Sequence, residues 1–341
     1  MKPLRFAIAG AGFWSRFQLA GWREIEGVQC VAVFNRTRSK AEALAREFGV
    51  PAVHDSLEAM LDQESLDFLD IVTSVETHAP MVREAARRRL PVICQKPLAP
   101  DLGTARAMVD ACRLSGSPLL VHENWRWQAP IRAMKRVLNS GRLGQVVRAR
   151  IDYAHSFPVF DNQPFLKEVE QFILADMGTH LLDVARFLWG EASELYCQTR
   201  RMHPDIRGED VATVVMRMAE DVTVTVNMSY ASRWEFDRFP ETFIAVEGRD
   251  AGVGLTADGR LRIFSPAGIE EQQVHPNPYP WADPAYGLVH ASIVDCHRNL
   301  FEALRGGAPA ETTGADNLKT LELVFAAYDS ARSRTAIRVG S

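Results

Sequence analysis

Cysteine is scarce in this 341-residue chain. The five present (Cys30, Cys94, Cys112, Cys197 and Cys296) are far apart, odd in number and form no CxxC pair. A disulfide framework and a cysteine-based zinc cluster are thereby excluded, and a reducing, cytoplasmic setting is expected. Long apolar runs are missing too: no stretch of about 18 uninterrupted apolar residues is available to span a bilayer. Arg5 and Arg16 interrupt the first apolar segment and no cleavage pattern follows, so the N-terminal residues do not read as a signal peptide. Basic runs are short, and the densest, Arg87-Arg88-Arg89, suits the cationic end of a helix. With a formal net charge of −4, nucleic acid and membrane surfaces are not expected partners.

What is present is an ordinary globular composition, 47% hydrophobic and 24% charged, enough to fill sizeable cores. The length predicts two domains. Residues 4–9, 28–34, 68–72, 91–94 and 118–121 are short apolar runs, each followed by an amphipathic helical pattern. Strands of this kind predict a doubly wound parallel sheet covered on both faces. After about residue 125 the rhythm changes to alternating segments at 146–154, 194–202, 210–218, 222–230, 243–246 and 261–264. An open, mainly antiparallel sheet in a second α/β domain is expected, with helices at 287–305 and 315–333. The division falls between 1–122 and 123–341.

The first strand runs into Gly10-Ala11-Gly12-Phe13-Trp14-Ser15 and then a helix. This is the context in which a glycine turn brings helix-terminal N–H groups to a pyrophosphate. Two things are lacking. The third glycine of the fingerprint is Ser15, still small enough for close helix–strand packing. The second strand ends in Asn35-Arg36-Thr37-Arg38, without the carboxylate that would receive a ribose 2′-hydroxyl. Arg36 or Arg38 suits a 2′-phosphate, and Asn35 suits ribose hydroxyls. The residues alone lean slightly to NADP and leave NAD open.

A second chemical signal is Gln95-Lys96-Pro97 at the end of the 91–94 strand. Ligands of doubly wound sheets lie outside the carboxyl ends of the strands, and an ammonium there stabilises an alkoxide-like transition state. By itself it is also an ordinary loop lysine.

The third is the run 176–190. Read as a helix, it stacks Asp176, His180 and Asp183 on one face at i, i+4 and i+7. Its other faces carry Met177, Leu181, Leu182, Val184, Ala185, Leu188 and Trp189, so the helix should be buried. An unpartnered buried polar group costs roughly 2–7 kcal/mol, which asks for partners or chemistry. Asp183 reads as a structural group paired with an arginine. A metal site built on the same three side chains is the rival reading, but no further ligand cluster accompanies them. No metal is expected. His290 and His297, seven apart in the 287–305 helix, read as polar surface or interface.

These signals, in this order, resemble the Gfo/Idh/MocA family of NAD(P)-dependent oxidoreductases over essentially the whole chain. Lys96 matches the lysine of that family's Glu-Lys-Pro motif, and Asp176 and His180 match its Asp-x-x-x-His pair. Gln95 departs from the pattern and removes a negative charge beside Lys96. The resemblance implies an N-terminal Rossmann domain and a C-terminal domain whose sheet forms homodimer or homotetramer contacts. It places the cofactor against Gly10, Gly12, Phe13, Trp14, Asn35, Arg36 and Arg38. It adds Thr73, Ser74, Val75, Glu76 and His78 after the fourth strand, with Gln95, Lys96, Asn124 and Trp125. Substrate contacts would come from Lys96, Trp127, Asp176 and His180, and from Gln163 and Phe165 in a loop that also reads as plain surface.

Within the family, the phrases Ser-Val-Glu-Thr-His, Cys-Gln-Lys-Pro-Leu and His-Glu-Asn-Trp-Arg-Trp-Gln are similar to a branch that oxidises the branched aldose D-apiose to its lactone with NAD. That similarity moves the expected cofactor from NADP to NAD. It implies a cyclic sugar as the small-molecule substrate, His180 as general base and Lys96 beside the reacting oxygen. Asp176 would orient the imidazole or bind a substrate hydroxyl. An NAD-dependent glycosidase of the same fold and a non-catalytic dinucleotide sensor are the alternatives.

Overall fold

The structure is a computed structural model that describes residues 2–155, 159–232, 239–240 and 242–340, with Asn162 described by its backbone. Residues 156–158 lie outside the described residues. The chain forms two compact units.

In the first unit the apolar runs become β1 (Leu4–Ala9), β2 (Val28–Phe34), β3 (Ala52–His54), β4 (Phe68–Ile71), β5 (Val92–Gln95) and β6 (Leu119–His122). They form one sheet in the order β3-β2-β1-β4-β5-β6, and every pairing is parallel. Ala7, Ile8, Ala9, Val33, Leu69, Ile71 and Ile93 are fully buried, as strands covered on both faces must be. Helices α1 (Phe13–Arg23), α2 (Arg38–Phe48), α3 (Leu57–Gln63), α4 (His78–Arg87) and α5 (Leu102–Ser115) connect them. This is the doubly wound Rossmann sheet, whose strand order reverses between β1 and β4. β3 was not legible in the sequence because it is three half-buried residues long.

The second unit holds a nine-stranded sheet. Its strands are β7 (Val146–Ala154), β8 (Ala192–Arg200), β9 (Val211–Met218), β10 (Thr223–Ser229), β11 (Thr242–Gly248), β12 (Gly252–Leu255), β13 (Arg260–Ser265), β14 (Gly268–Gln273) and β15 (Ile337–Arg338). Their order is β14-β13-β12-β11-β7-β10-β9-β8-β15. All neighbours are antiparallel except β7 and β10, which run parallel. In β9 the buried Ala212, Val214, Met216 and Met218 alternate with outward residues. β14 was not legible in the sequence because it is exposed along its whole length and carries no apolar alternation. α6 (Ala129–Asn139) packs over β12 and β13, α7 (Val159–Asn162) is a single turn, and α8 (Thr179–Trp189) packs over β10.

The units do not follow the single cut between 122 and 123. The first continues to Asn124 and also takes Pro280–Ala282 and Ile293–Leu318. α9 (Gly287–Leu304) and α10 (Gly314–Ser333) therefore each contribute to both. One reason is the open edge of β6, whose backbone groups need partners. Val121 N–H donates to Thr312 O (2.8 Å), and the Thr312 hydroxyl donates to Val121 O (2.7 Å). Another is close helix packing: a Cβ on Gly21 would sit 2.8 Å from Ile293 and 3.1 Å from His297.

Candidate functional site

In the first unit, the loops at the carboxyl ends of β1, β2, β4 and β5 hold most of the residues expected to bind a cofactor. Gly10 has φ +115°, and a Cβ there would lie 2.1 Å from Val72 O, so only glycine fits. A Cβ on Gly12 would meet nothing within 4 Å, which leaves the backbone at the start of α1 open to a pyrophosphate. Ser15, in place of the third glycine, is fully buried. Its hydroxyl accepts from Gly12 N–H (3.2 Å) and donates to Val72 O (3.5 Å), tying α1 to the end of β4. Phe13 is half exposed and stacks edge-on against Trp14.

Asn35 is used within the turn: its Oδ1 accepts from Ala11 N–H (3.2 Å) and its Nδ2 donates to Thr37 O (3.0 Å). Arg36 is exposed. Arg38 binds Glu42 (2.9 Å) and lies 3.7 Å from Asp55. After β4, Thr73 to Thr77 form a tight turn in which the Thr77 hydroxyl donates to the Thr73 hydroxyl (2.7 Å), while Ser74 and Glu76 face solvent and Val75 is half-buried. His78 lies beneath that turn. Its ring nitrogens sit 3.2 Å from Thr73 O and 3.1 Å from Pro97 O, so it ties the β4 and β5 loops together, and burial lowers its pKa. The Lys96–Pro97 peptide is cis, and the Lys96 N–H donates to the side-chain oxygen of Gln95 (2.9 Å). Asn124 is buried at the end of this unit.

In the second unit, the 176–190 run does not begin as the α-helix its spacing suggested. Leu174–Gly178 form a π turn, and α8 starts only at Thr179. Groups outside the helix hold its first N–H donors. The Glu209 carboxylate accepts from Phe172 N–H (3.2 Å) and Leu174 N–H (3.1 Å), and the Tyr328 hydroxyl accepts from Ala175 N–H (3.1 Å). The Thr179 hydroxyl donates back to Asp176 O (2.8 Å). The run therefore departs from regular α spacing in its first turn.

Each member of the expected stripe has its own partner. His180 is 4% exposed, and its ring lies flat on Trp125 (centroids 4.2 Å apart, planes at 21°). Trp125, expected beside the cofactor, is in this unit a buried platform for the imidazole. Asp176 accepts from the Tyr230 hydroxyl (3.2 Å), and burial keeps that phenol protonated by pushing its pKa well up. Asp183 is fully buried and receives both arms of Arg126 (2.6 and 2.8 Å) and the Thr320 hydroxyl (3.2 Å). Its oxygens are thereby occupied, which removes it from the metal reading. Trp127 is covered by Arg132 (4.2 Å to the ring centroid). Phe165 is 61% exposed and Gln163 half-buried in the 159–168 segment.

Sequence reasoning missed Tyr230, Tyr153 and His155. Because β7 and β10 are parallel neighbours, the residues at and just past their ends meet: His155 N–H donates to Ser229 O (2.9 Å), and Tyr153 packs edge-on against Tyr230 (5.7 Å). An aromatic or histidine directly after an alternating run was the available signal, but it needed the strand pairing to become meaningful. His290 and His297 are also corrected. They are 1% and 0% exposed, and burial lowers both pKa values.

Residues 4–123 match the oxidoreductase family with an NAD-binding Rossmann fold, and residues 131–251 match the GFO/IDH/MocA C-terminal domain. The chain belongs to the Gfo/Idh/MocA family. As a member it is an NAD-dependent oxidoreductase. It is similar to a D-apiose dehydrogenase from Paraburkholderia graminis, with 40% identity over all of this chain and 91% of the relative. A second D-apiose dehydrogenase, from Rhizobium rhizogenes, is 36% identical over all of this chain and 99% of its own length. Among solved structures, an oxidoreductase from Agrobacterium radiobacter in complex with NAD+, L-tartaric acid and magnesium superposes with a TM-score of 0.97. It is 36% identical and covers 99% of this chain and 98% of its own. The glycine turn and the open backbone at Gly12 fit the cofactor that family members bind.

Proposed function

We propose that this Gfo/Idh/MocA protein oxidises a cyclic aldose, with D-apiose the candidate and its lactone the product. The observation that carries the substrate is the full-length similarity to two relatives named for that sugar. Bound NAD supplies the hydride acceptor. His180 takes the proton of the anomeric hydroxyl, the role for which a histidine is suited near neutral pH. The Trp125 face fixes the plane of its imidazole. Lys96 places positive charge beside the oxygen that becomes negative. Asp176, held by Tyr230, orients the imidazole or accepts from a second sugar hydroxyl.

In this reading the first unit, which contains residues 1–122, supplies the dinucleotide-binding domain, and the second unit, drawn from the rest of the chain, the substrate-binding and oligomerisation domain. The protein works in the cytoplasm as a homodimer or homotetramer through the open sheet, where Val215 and Phe264 face outward. Light scattering in solution tests the assembly, and a monomer would sink that part.

The decisive experiment is a screen of aldoses and polyols with NAD and with NADP, following absorbance of the reduced nicotinamide. D-apiose with NAD is expected to turn over fastest. Turnover of another sugar and none of D-apiose would remove the substrate and keep the reaction class. His180→Ala is expected to lower kcat by about 10²–10⁴; near-normal turnover removes its role as base. Activity that survives a chelator, with no bound metal by elemental analysis, is the outcome expected of a metal-free reaction.

A further inference from the structure

The first unit contains a buried chain of polar groups that the proposed chemistry leaves unused. Asp70 on β4 is fully buried and accepts from the Trp22 indole N–H (2.8 Å) and from the Gln18 amide (3.2 Å), both on α1. The Gln18 carbonyl accepts from the Gln95 amide (3.2 Å) at the end of β5. The same Gln95 nitrogen lies 3.3 Å from His122 Nδ1, and the Gln95 carbonyl accepts from Lys96 N–H.

The two ends of this chain, Trp22 Nε1 and Lys96 N, can only donate. A glutamine passes one bond on, accepting at its oxygen and donating at its nitrogen. A line with a donor at each end therefore needs one member that accepts from both sides. Asp70 is that member. Because its carboxylate only accepts, Gln18 must turn its NH2 toward it and its carbonyl toward Gln95. Gln95 must then turn its NH2 inward, which leaves its carbonyl for Lys96.

We infer that Asp70 is a positioning residue for Lys96: as the one double acceptor, it sets the direction of every amide out to the Lys96 backbone N–H. The same logic accounts for Gln95 in place of the family's glutamate. A carboxylate at 95 beside one at 70 would give the line two double acceptors, and the Gln18 carbonyl would face a buried anion. The line can also run the other way. In a protein carrying both Asp70→Asn and Gln95→Glu, the Trp22 indole donates to the introduced amide's carbonyl, and that amide's NH2 donates to the Gln18 carbonyl. Gln18 and the Lys96 N–H then both donate to the introduced carboxylate. His122 needs only to carry its proton on Nδ1.

The surroundings leave this arrangement undisturbed. Cys30 on β2 lies on the same face of the sheet as Asp70, and burial pushes its thiol up to about 12. Cys94 on β5 points to the other face, and burial pushes its thiol well above its usual value. On α9, His297 stacks on the Trp22 ring (3.9 Å) and lies 4.8 Å from His122, and burial favours its neutral form.

The inference rests on Lys96 acting at the reaction centre. The test compares wild type, Asp70→Asn, Gln95→Glu and the double swap at pH 8, above the value of about 7 to which burial pushes Asp70. NAD+ affinity is measured by calorimetry and kcat with D-apiose, both well below the melting temperature of each protein. Each single variant is expected to lose on the order of tenfold in NAD+ affinity or kcat, and the swap to recover most of it, because contacting residues couple. A swap as poor as the product of the singles overturns the inference. Recovery of melting temperature without recovery of affinity or kcat assigns Asp70 to stability alone and overturns the positioning role. If a single variant does not fold, the swap against wild type decides: within about threefold supports the inference, and a roughly tenfold loss overturns it. A wild type inactive on D-apiose sinks the sugar assignment, while NAD+ affinity still decides the chain.

Discussion

Arg38 shows how a residue's neighbours change its meaning. Beside an empty acidic position at the end of β2, an arginine suits the phosphate of NADP, yet here its guanidinium is engaged by Glu42 and approached by Asp55. Those carboxylates also repel a 2′-phosphate, which agrees with a chain that uses NAD. All three side chains are largely exposed, so each contact is weak, roughly 0–1 kcal/mol. Glu42→Gln combined with Asp55→Asn should therefore raise the ratio of kcat/KM for NADP to that for NAD by a few-fold, about 3–10. An unchanged ratio would show that neither carboxylate takes part in the choice. Asn35 illustrates the same point: offered by the sequence to ribose hydroxyls, it also braces the turn, its oxygen holding the Ala11 N–H and its amide the Thr37 carbonyl.

At the scale of elements, the start of α8 is where spacing misled. Heptad arithmetic assumes 3.6 residues per turn, and the π turn at Leu174–Gly178 breaks it. Its first N–H groups are held from far along the chain, by the oxygens of Glu209 and Tyr328. Burial pushes the Glu209 carboxyl up, and its bonds to Tyr328 and to these N–H groups oppose that shift. Asp183, by contrast, was legible as a paired structural group, because a fully buried carboxylate inside an apolar helix demands a cation. Arg126→Leu removes both close guanidinium bonds to that carboxylate, leaving it only Arg186 at 3.9 Å and the Thr320 hydroxyl, and should cost up to roughly 3–5 kcal/mol in urea unfolding. Arg126→Leu with Asp183→Leu should cost clearly less. An equal or larger loss in the double variant would show that packing around the pair, and not its charge, is what matters.

For the whole molecule, buried titratable groups pull stability in opposite directions below neutral pH. His290 is pushed down to about 4 and His297 well below 6.5. The unfolded chain binds their protons first, so stability falls as pH drops through 6.5 toward 4. Asp70 is pushed up to about 7 from 3.8. Here the folded chain binds the proton first, so stability rises as pH drops through 7 toward 4. His78, also lowered, adds to the histidines, and Glu209, also raised, adds to the carboxyl; three histidines outweigh two carboxyls, and the wild type should melt lower at pH 5 than at pH 7. Asp70→Asn removes its part of the opposing contribution and should steepen that fall; a shallower slope in the variant would reverse the sign assigned to Asp70.

The amino-acid sequence by itself determined the alternation of strands and helices, the glycine turn, and which residue types carry chemistry, because periodicity and local backbone demands are written in neighbouring residues. It also singled out Lys96, Asp176 and His180 as candidates. Only the tertiary structure decided what those side chains lean on: Trp125 under His180, Tyr230 on Asp176, Arg126 on Asp183, and the Asp70 chain behind Lys96. Those partners come from elements tens of residues apart, brought together by strand order and helix packing. A hydrogen bond depends on position and direction in space, and neither is recorded in the spacing of residues along a chain.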